Sequence, residues 1–144
     1  MLPPNFRIGK KEIVAALRRQ QLTLAEGDIV LIRTGRMKQY GHTESYLQDP
    51  PGLAMSGAEY LVENGAMVVG GDNLSLEAFP SQVEGNYIPV HTYLLAQQGV
   101  PIMELVNLEE LARDKVYRFA FIGGSLKLRG ADAAPMRPVA IPIR

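Results

Sequence analysis

The chain has 144 residues, the size of one domain, and is 47% hydrophobic, enough to fill a core of ordinary size. Fifteen basic and fifteen acidic side chains balance, so no broad field draws in nucleic acid or an anionic membrane, and neither partner is expected. With no cysteine in the sequence, disulfides, thiolate metal sites and cysteine nucleophiles are excluded.

Residues 1–6 lack a charged stretch leading into an apolar run, and no apolar run reaches bilayer length, so the expected setting is the cytoplasm. Ile13, Val14 and Leu17 recur at helical spacing, predicting an amphipathic helix over residues 10–20. After Gly27, the β-branched run at 29–33 reads as a buried strand closed by Thr34-Gly35. Residues 35–55 lack periodicity and carry Gly41, Pro50, Pro51 and Gly52, the signature of a long loop. Ser56 and Glu59 have capping-box spacing ahead of a stripe of Ala58, Leu61 and Val62, and Gly65 suits the end of that helix. A second strand is expected at 67–71, with Asp72 at its carboxyl end, followed by an irregular stretch, 73–89. A helix over 91–98 stops at Gly99, and a third strand follows at 102–106. Asn107 and Glu110 have the spacing to cap a short helix bearing Leu108 and Leu111; strands at 117–122 and 138–143 complete the chain. Strands alternating with helices make the class α/β, with a short, partly parallel, mixed sheet flanked by helices, in a single domain spanning 1–144.

No phosphate-binding glycine loop, dinucleotide fingerprint or nucleophile elbow is present. The sequence has two histidines, His42 and His91. His91 opens a helix, and Glu104 follows thirteen positions on inside an apolar strand. A helix running back and a strand running forward can bring the two together, and imidazole with carboxylate is a common pair on a divalent metal. The alternative is that His91 caps its helix and Glu104 pairs with an arginine. A carboxylate in that strand is costly to bury unless paired or liganded. Asp72 ends a buried strand, where open α/β sheets place their ligands, or else caps the turn that follows. His42, between Gly41 and Thr43, reads as a solvated loop histidine; Arg33, Arg129 and Arg137 read as surface or ion-pair residues.

Taken together, residues 24–35 (LAEGDIVLIRTG), 51–53 (PGL), 69–77 (VGGDNLSLE), 90–95 (VHTYLL), 99–108 (GVPIMELVNL), 126–131 (LKLRGA) and 135–140 (PMRPVA) resemble, in order and spacing, the C-terminal portion of the cyclase family. That family includes kynurenine formamidases and isatin hydrolases. The resemblance implies part of a swivelling β/β/α fold and a metal-dependent hydrolase of formamides or cyclic amides. It makes His91 and Glu104 metal ligands, and gives Asp72 and Ser75 a supporting place beside the substrate pocket. The family's remaining ligands come from a His-x-x-x-His-x-Asp segment that this sequence does not contain. Two donors hold a zinc or manganese ion weakly, since catalytic sites use three protein ligands. The expectation is therefore weak or no hydrolysis by this chain alone, the alternative being a non-catalytic ligand-binding or interaction module. A homodimer or higher oligomer is expected, because sheet edge and apolar surface are left uncovered.

Overall fold

The computed structural model describes residues 1–143. Its central sheet is parallel and three-stranded: β2 (Ile29–Ile32), β4 (Val68–Gly71) and β5 (Ile102–Met103), in the order β2-β4-β5. Ile29 faces Val68 and Val69 faces Ile102 across the two ladders. A parallel sheet needs crossover connections, and helices supply them. A second parallel pair joins β1 (Arg7–Ile8) to β3 (Gly52–Leu53), and an isolated parallel bridge extends it from Leu53 to Glu77.

Helix α1 (Lys10–Gln20) starts where the Glu12 carboxylate accepts the Gly9 N–H at 3.0 Å, and its Ile13 is buried. Helix α3 (Met55–Glu63) packs on α1 and buries Ala58 and Leu61 completely. These helices, with Ile8, Leu53, Val69, Leu76, Val90 and Leu94, form one apolar cluster. The α3 start differs from the sequence expectation. Its N-cap is Ala54, and no side chain caps it; Ser56 lies inside the first turn. The 35–55 stretch is also more ordered than expected. It contains a 3-10 turn (Arg36–Gln39), a short helix α2 (Thr43–Leu47) and strand β3.

Helix α4 opens with Pro89–His91 and widens into a π-helical turn over Thr92–Gln97, closed by Gln98 N–H donating to Tyr93 O at 3.0 Å. The third strand is shorter than expected. It ends at Met103, because Leu105 turns into the left-handed region at φ 59°. Side-by-side contact nevertheless continues: Leu105 N–H donates to Asn73 O and Val106 N–H to Gly71 O. Asn107 Oδ1 accepts the Glu109 N–H at the start of α5 (Glu109–Arg113), the Asn107 half of the expected capping pair.

The chain divides into two compact units, Met1–Glu110 and Leu111–Arg144. In the second, β6 (Phe119–Ile122) pairs antiparallel with β7 (Val139–Pro142), with Phe119 opposite Pro142 and Ile122 opposite Val139. The segment expected as the fourth strand of the main sheet thus pairs with the fifth strand in a ribbon of its own. Neither ribbon strand holds a charged residue, so nothing in its sequence favoured one partner strand over another. Among the described residues, no helix is long and apolar enough to cross a membrane.

Candidate functional site

The residues with chemistry gather where the chain leaves β4 and β5, the carboxyl end of the parallel sheet. Glu77 is the most buried carboxylate beside His91, at 1% exposure. It follows Leu76, which sits in the left-handed region at φ 52° and turns the chain sharply, with Glu77 N–H donating to Ser75 O. The turned segment then runs beside β3: Leu53 N–H donates to Leu76 O at 2.9 Å, and Ala78 N–H to Leu53 O at 3.1 Å. Gly52 makes this approach feasible, because a Cβ there would lie 2.4 Å from the Glu77 carbonyl carbon.

From this position the Glu77 carboxylate caps α4. Oε2 accepts the Val90 N–H at 3.2 Å, and Oε1 accepts the His91 N–H at 3.1 Å. A helix's first N–H groups have no partner within the helix, and an anion there is further favoured by the helix dipole. Oε1 also lies 2.5 Å from His91 Nδ1. On the other side of the ring, Nε2 lies 3.3 Å from Glu104 Oε1. Glu104 is presented by the kink that ends β5, and its side chain is 32% exposed against 2% for Glu77. Hydrogen bonding to Glu104, then to Glu77, pushes His91 up to about 9 against the opposing pull of burial. At neutral pH, without a metal, the ring is an imidazolium held between two carboxylates.

Asp72 is fully buried, and its carboxylate is occupied by the end of β2. Oδ1 accepts the Thr34 N–H at 2.8 Å and the Thr34 hydroxyl at 2.6 Å; Oδ2 accepts the Gly35 N–H at 2.7 Å. The Asp72 carbonyl accepts the Tyr46 hydroxyl at 3.1 Å. Burial, helped by the Asp72 charge, pushes the Tyr46 phenol up to about 12. Buried Arg36 donates to the carbonyls of Ser45, Tyr46 and Gln48, closing the C-terminal end of α2. Ser75 donates to Glu77 O at 2.9 Å, inside the turn that presents Glu77. Asp72 and Ser75 are thus engaged by the protein itself.

His91 and Glu104 are brought together, as the resemblance implied and their spacing allowed. Arg33 pairs with Glu109 through two hydrogen bonds of 2.9 and 2.7 Å, while His42, Arg129 and Arg137 are exposed. Glu77 was missed. The available signal was the one used for Glu104: a lone carboxylate between apolar neighbours, here Leu76 and Ala78-Phe79. Imidazole Nε2 and a carboxylate facing each other fit one side of a divalent-metal site by donor chemistry. Among the described residues, no three His, Cys, Asp or Glu are arranged to hold an ion. A third ligand would have to come from elsewhere.

The cyclase family model matches residues 2–78. This chain belongs to the cyclase family. The matched span includes Asp72, Ser75 and Glu77 and stops short of His91 and Glu104. Solved cyclase-family folds extend the likeness over nearly the whole chain. A cyclase described as novel is 31% identical, with a TM-score of 0.86, over 97% of this chain and 48% of its own. A potential metal-dependent hydrolase with cyclase activity is 27% identical, with a TM-score of 0.67, over 93% of this chain and 57% of its own. Isatin hydrolase A from Ralstonia solanacearum, 20% identical with a TM-score of 0.77 over 95% of this chain and 53% of its own, shares the fold. The chain spans about half the length of these cyclase-family structures. No curated protein matches it.

Proposed function

We propose that this cyclase-family chain supplies one side of the metal centre of an amide hydrolase, acting on a formamide or a cyclic amide as an arylformamidase does. The observation that carries the reading is the 3.3 Å approach of His91 Nε2 to Glu104 Oε1 at the carboxyl end of the parallel sheet. His91 and Glu104 would be the ligands, for zinc or manganese. Such an ion supplies polarisation of the amide carbonyl and a water acidic enough to attack at neutral pH. Asp72 and Ser75 support the site by holding the loops beside the substrate pocket. With two ligands where three are usual, the ion is held loosely and the chain alone turns over slowly or not at all.

The test is hydrolysis of N-formylkynurenine and isatin by the purified chain with zinc or manganese, beside calorimetric titration of each metal. Weak metal binding that is lost in His91→Ala, with turnover near background, is the expected result. Robust metal-dependent turnover abolished by His91→Ala would overturn the incomplete-site reading and make the chain a full enzyme. Absence of metal binding would instead favour a second reading, a non-catalytic module that self-associates. The exposed apolar side chains of the β6–β7 ribbon, Ile122, Val139 and Ile141, favour that alternative.

A further inference from the structure

Only one face of the His91 ring serves the metal centre proposed above. We propose that Glu77, on the other face, is a positioning residue that fixes which imidazole nitrogen is offered to a ligand. A neutral imidazole has one N–H, and the nitrogen that keeps it cannot bind a metal. Two carboxylates compete for that N–H. Glu77 lies 2.5 Å from Nδ1 and is 2% exposed; Glu104 lies 3.3 Å from Nε2 and is 32% exposed. Although Glu104 does more to raise the ring's pKa, the Glu77 contact is the shorter and its carboxylate the better desolvated, which favours Glu77 for the single proton of the neutral ring. Glu77 therefore keeps the proton on Nδ1 and leaves the Nε2 lone pair toward Glu104, on the side where the metal would sit. The same carboxylate holds the Val90 and His91 backbone N–H groups, so ring and helix start are fixed by one group. Glu77 is itself held by the Leu76 turn and by the close approach that Gly52 allows. The effect on metal affinity rests on His91 acting as a ligand; the effect on the ring does not.

Glu77→Gln separates positioning from capping. Its amide oxygen, in the Oε2 place, can still accept the Val90 N–H, while its NH2, in the Oε1 place, donates to Nδ1, drives the ring proton to Nε2 and leaves the His91 N–H without that acceptor. The chain is labelled with ¹⁵N in a His42→Gln background, which leaves one ring to read, and the long-range ¹H–¹⁵N spectrum is recorded without metal above the ring's pKa of about 9, where the ring is neutral. The expected result is an Nδ1–H ring with Glu77 in place and an Nε2–H ring in the Glu77→Gln variant. Zinc titrated into the two proteins should bind about 10- to 100-fold more weakly to the variant, the usual cost of losing a group that orients a ligand. An Nε2–H ring with Glu77 in place, or the same tautomer in both proteins, overturns the proposal and reduces Glu77 to a helix cap. Where Glu77→Gln fails to fold, the tautomer with Glu77 present decides alone. Where neither protein takes up zinc, the metal-centre reading falls and the ring spectrum still judges Glu77.

Discussion

At the scale of single residues, the ring of His91 makes stability depend on pH. Its folded pKa of about 9 lies above the ordinary 6.5, and hydrogen bonding to Glu104 is the largest cause. A group raised on folding contributes stability that is fully present below its unfolded pKa and is lost as pH rises through the folded one. Urea denaturation of the metal-free chain should therefore show stability falling between pH 6.5 and 9, and Glu104→Gln should flatten that slope. An unchanged slope in the variant would mean that Glu104 does not hold the ring. Asp72→Ala tests a different kind of group. It strands two backbone N–H groups, of Thr34 and Gly35, in a buried place, at about 1–3 kcal/mol for each unsatisfied donor. The loss should appear as a lower urea midpoint with the same denaturant slope.

At the scale of elements, the close packing of β3 against the segment after Leu76 gives the next expectation. Gly52→Ala puts a methyl group 2.4 Å from the Glu77 carbonyl carbon and 2.5 Å from Leu76 O. Backbone has to move, and overpacking of this kind costs about 1–3 kcal/mol. The thermal midpoint should drop, and faster amide exchange at Val90 and His91 should report that Glu77 has shifted. The elements themselves were legible where apolar periodicity was strong. The runs containing Ile29–Ile32 and Val68–Gly71 and the stripe of Ile13 and Leu17 became the strands and helix they suggested. They were illegible where a left-handed residue breaks a run. Leu105 is an ordinary strand residue by propensity, and nothing in the sequence marks its positive φ. Leu76 hides the turn before Glu77 in the same way, so that carboxylate's burial was invisible although its apolar neighbours were not. His91 and Glu104 were found through the family resemblance, with the carboxylate in an apolar run, Pro101 to Val106, as a supporting sign. Ser56 misled because a capping box needs backbone geometry as well as spacing, and the N-cap is Ala54, two residues earlier.

At the scale of the whole molecule, the β6–β7 ribbon carries the expectation of assembly. Ala120 pairs with Ile141 and Ile122 with Val139, so these four share one face, and all four are apolar. Ile122, Val139 and Ile141 are 58%, 47% and 49% exposed. Two-stranded ribbons are marginal alone, and antiparallel strands with one solvated face normally alternate polar with apolar residues. Light scattering at micromolar concentration should give a mass above the 15.8 kDa of one chain, and Ile122→Lys should shift it down. A clean monomer before the substitution would rule self-association out.

The π-helical turn after His91 bears on how the chain tolerates changes in length. A π-turn holds one residue more than an α-turn, so Thr92–Gln97 behaves as a helix with a spare residue folded into it. Leu94 is fully buried there, whereas Leu95 is 47% exposed. Deleting Leu95 should let the turn relax to ordinary α-geometry, with Leu94 and Val100 still in the core and the thermal midpoint nearly unchanged. Deleting Ala15 from α1, which has no spare residue, rotates everything beyond it by about 100° and should carry Leu17 off the apolar face. The segment next to His91 is thus a place where the chain can be shortened without being rebuilt.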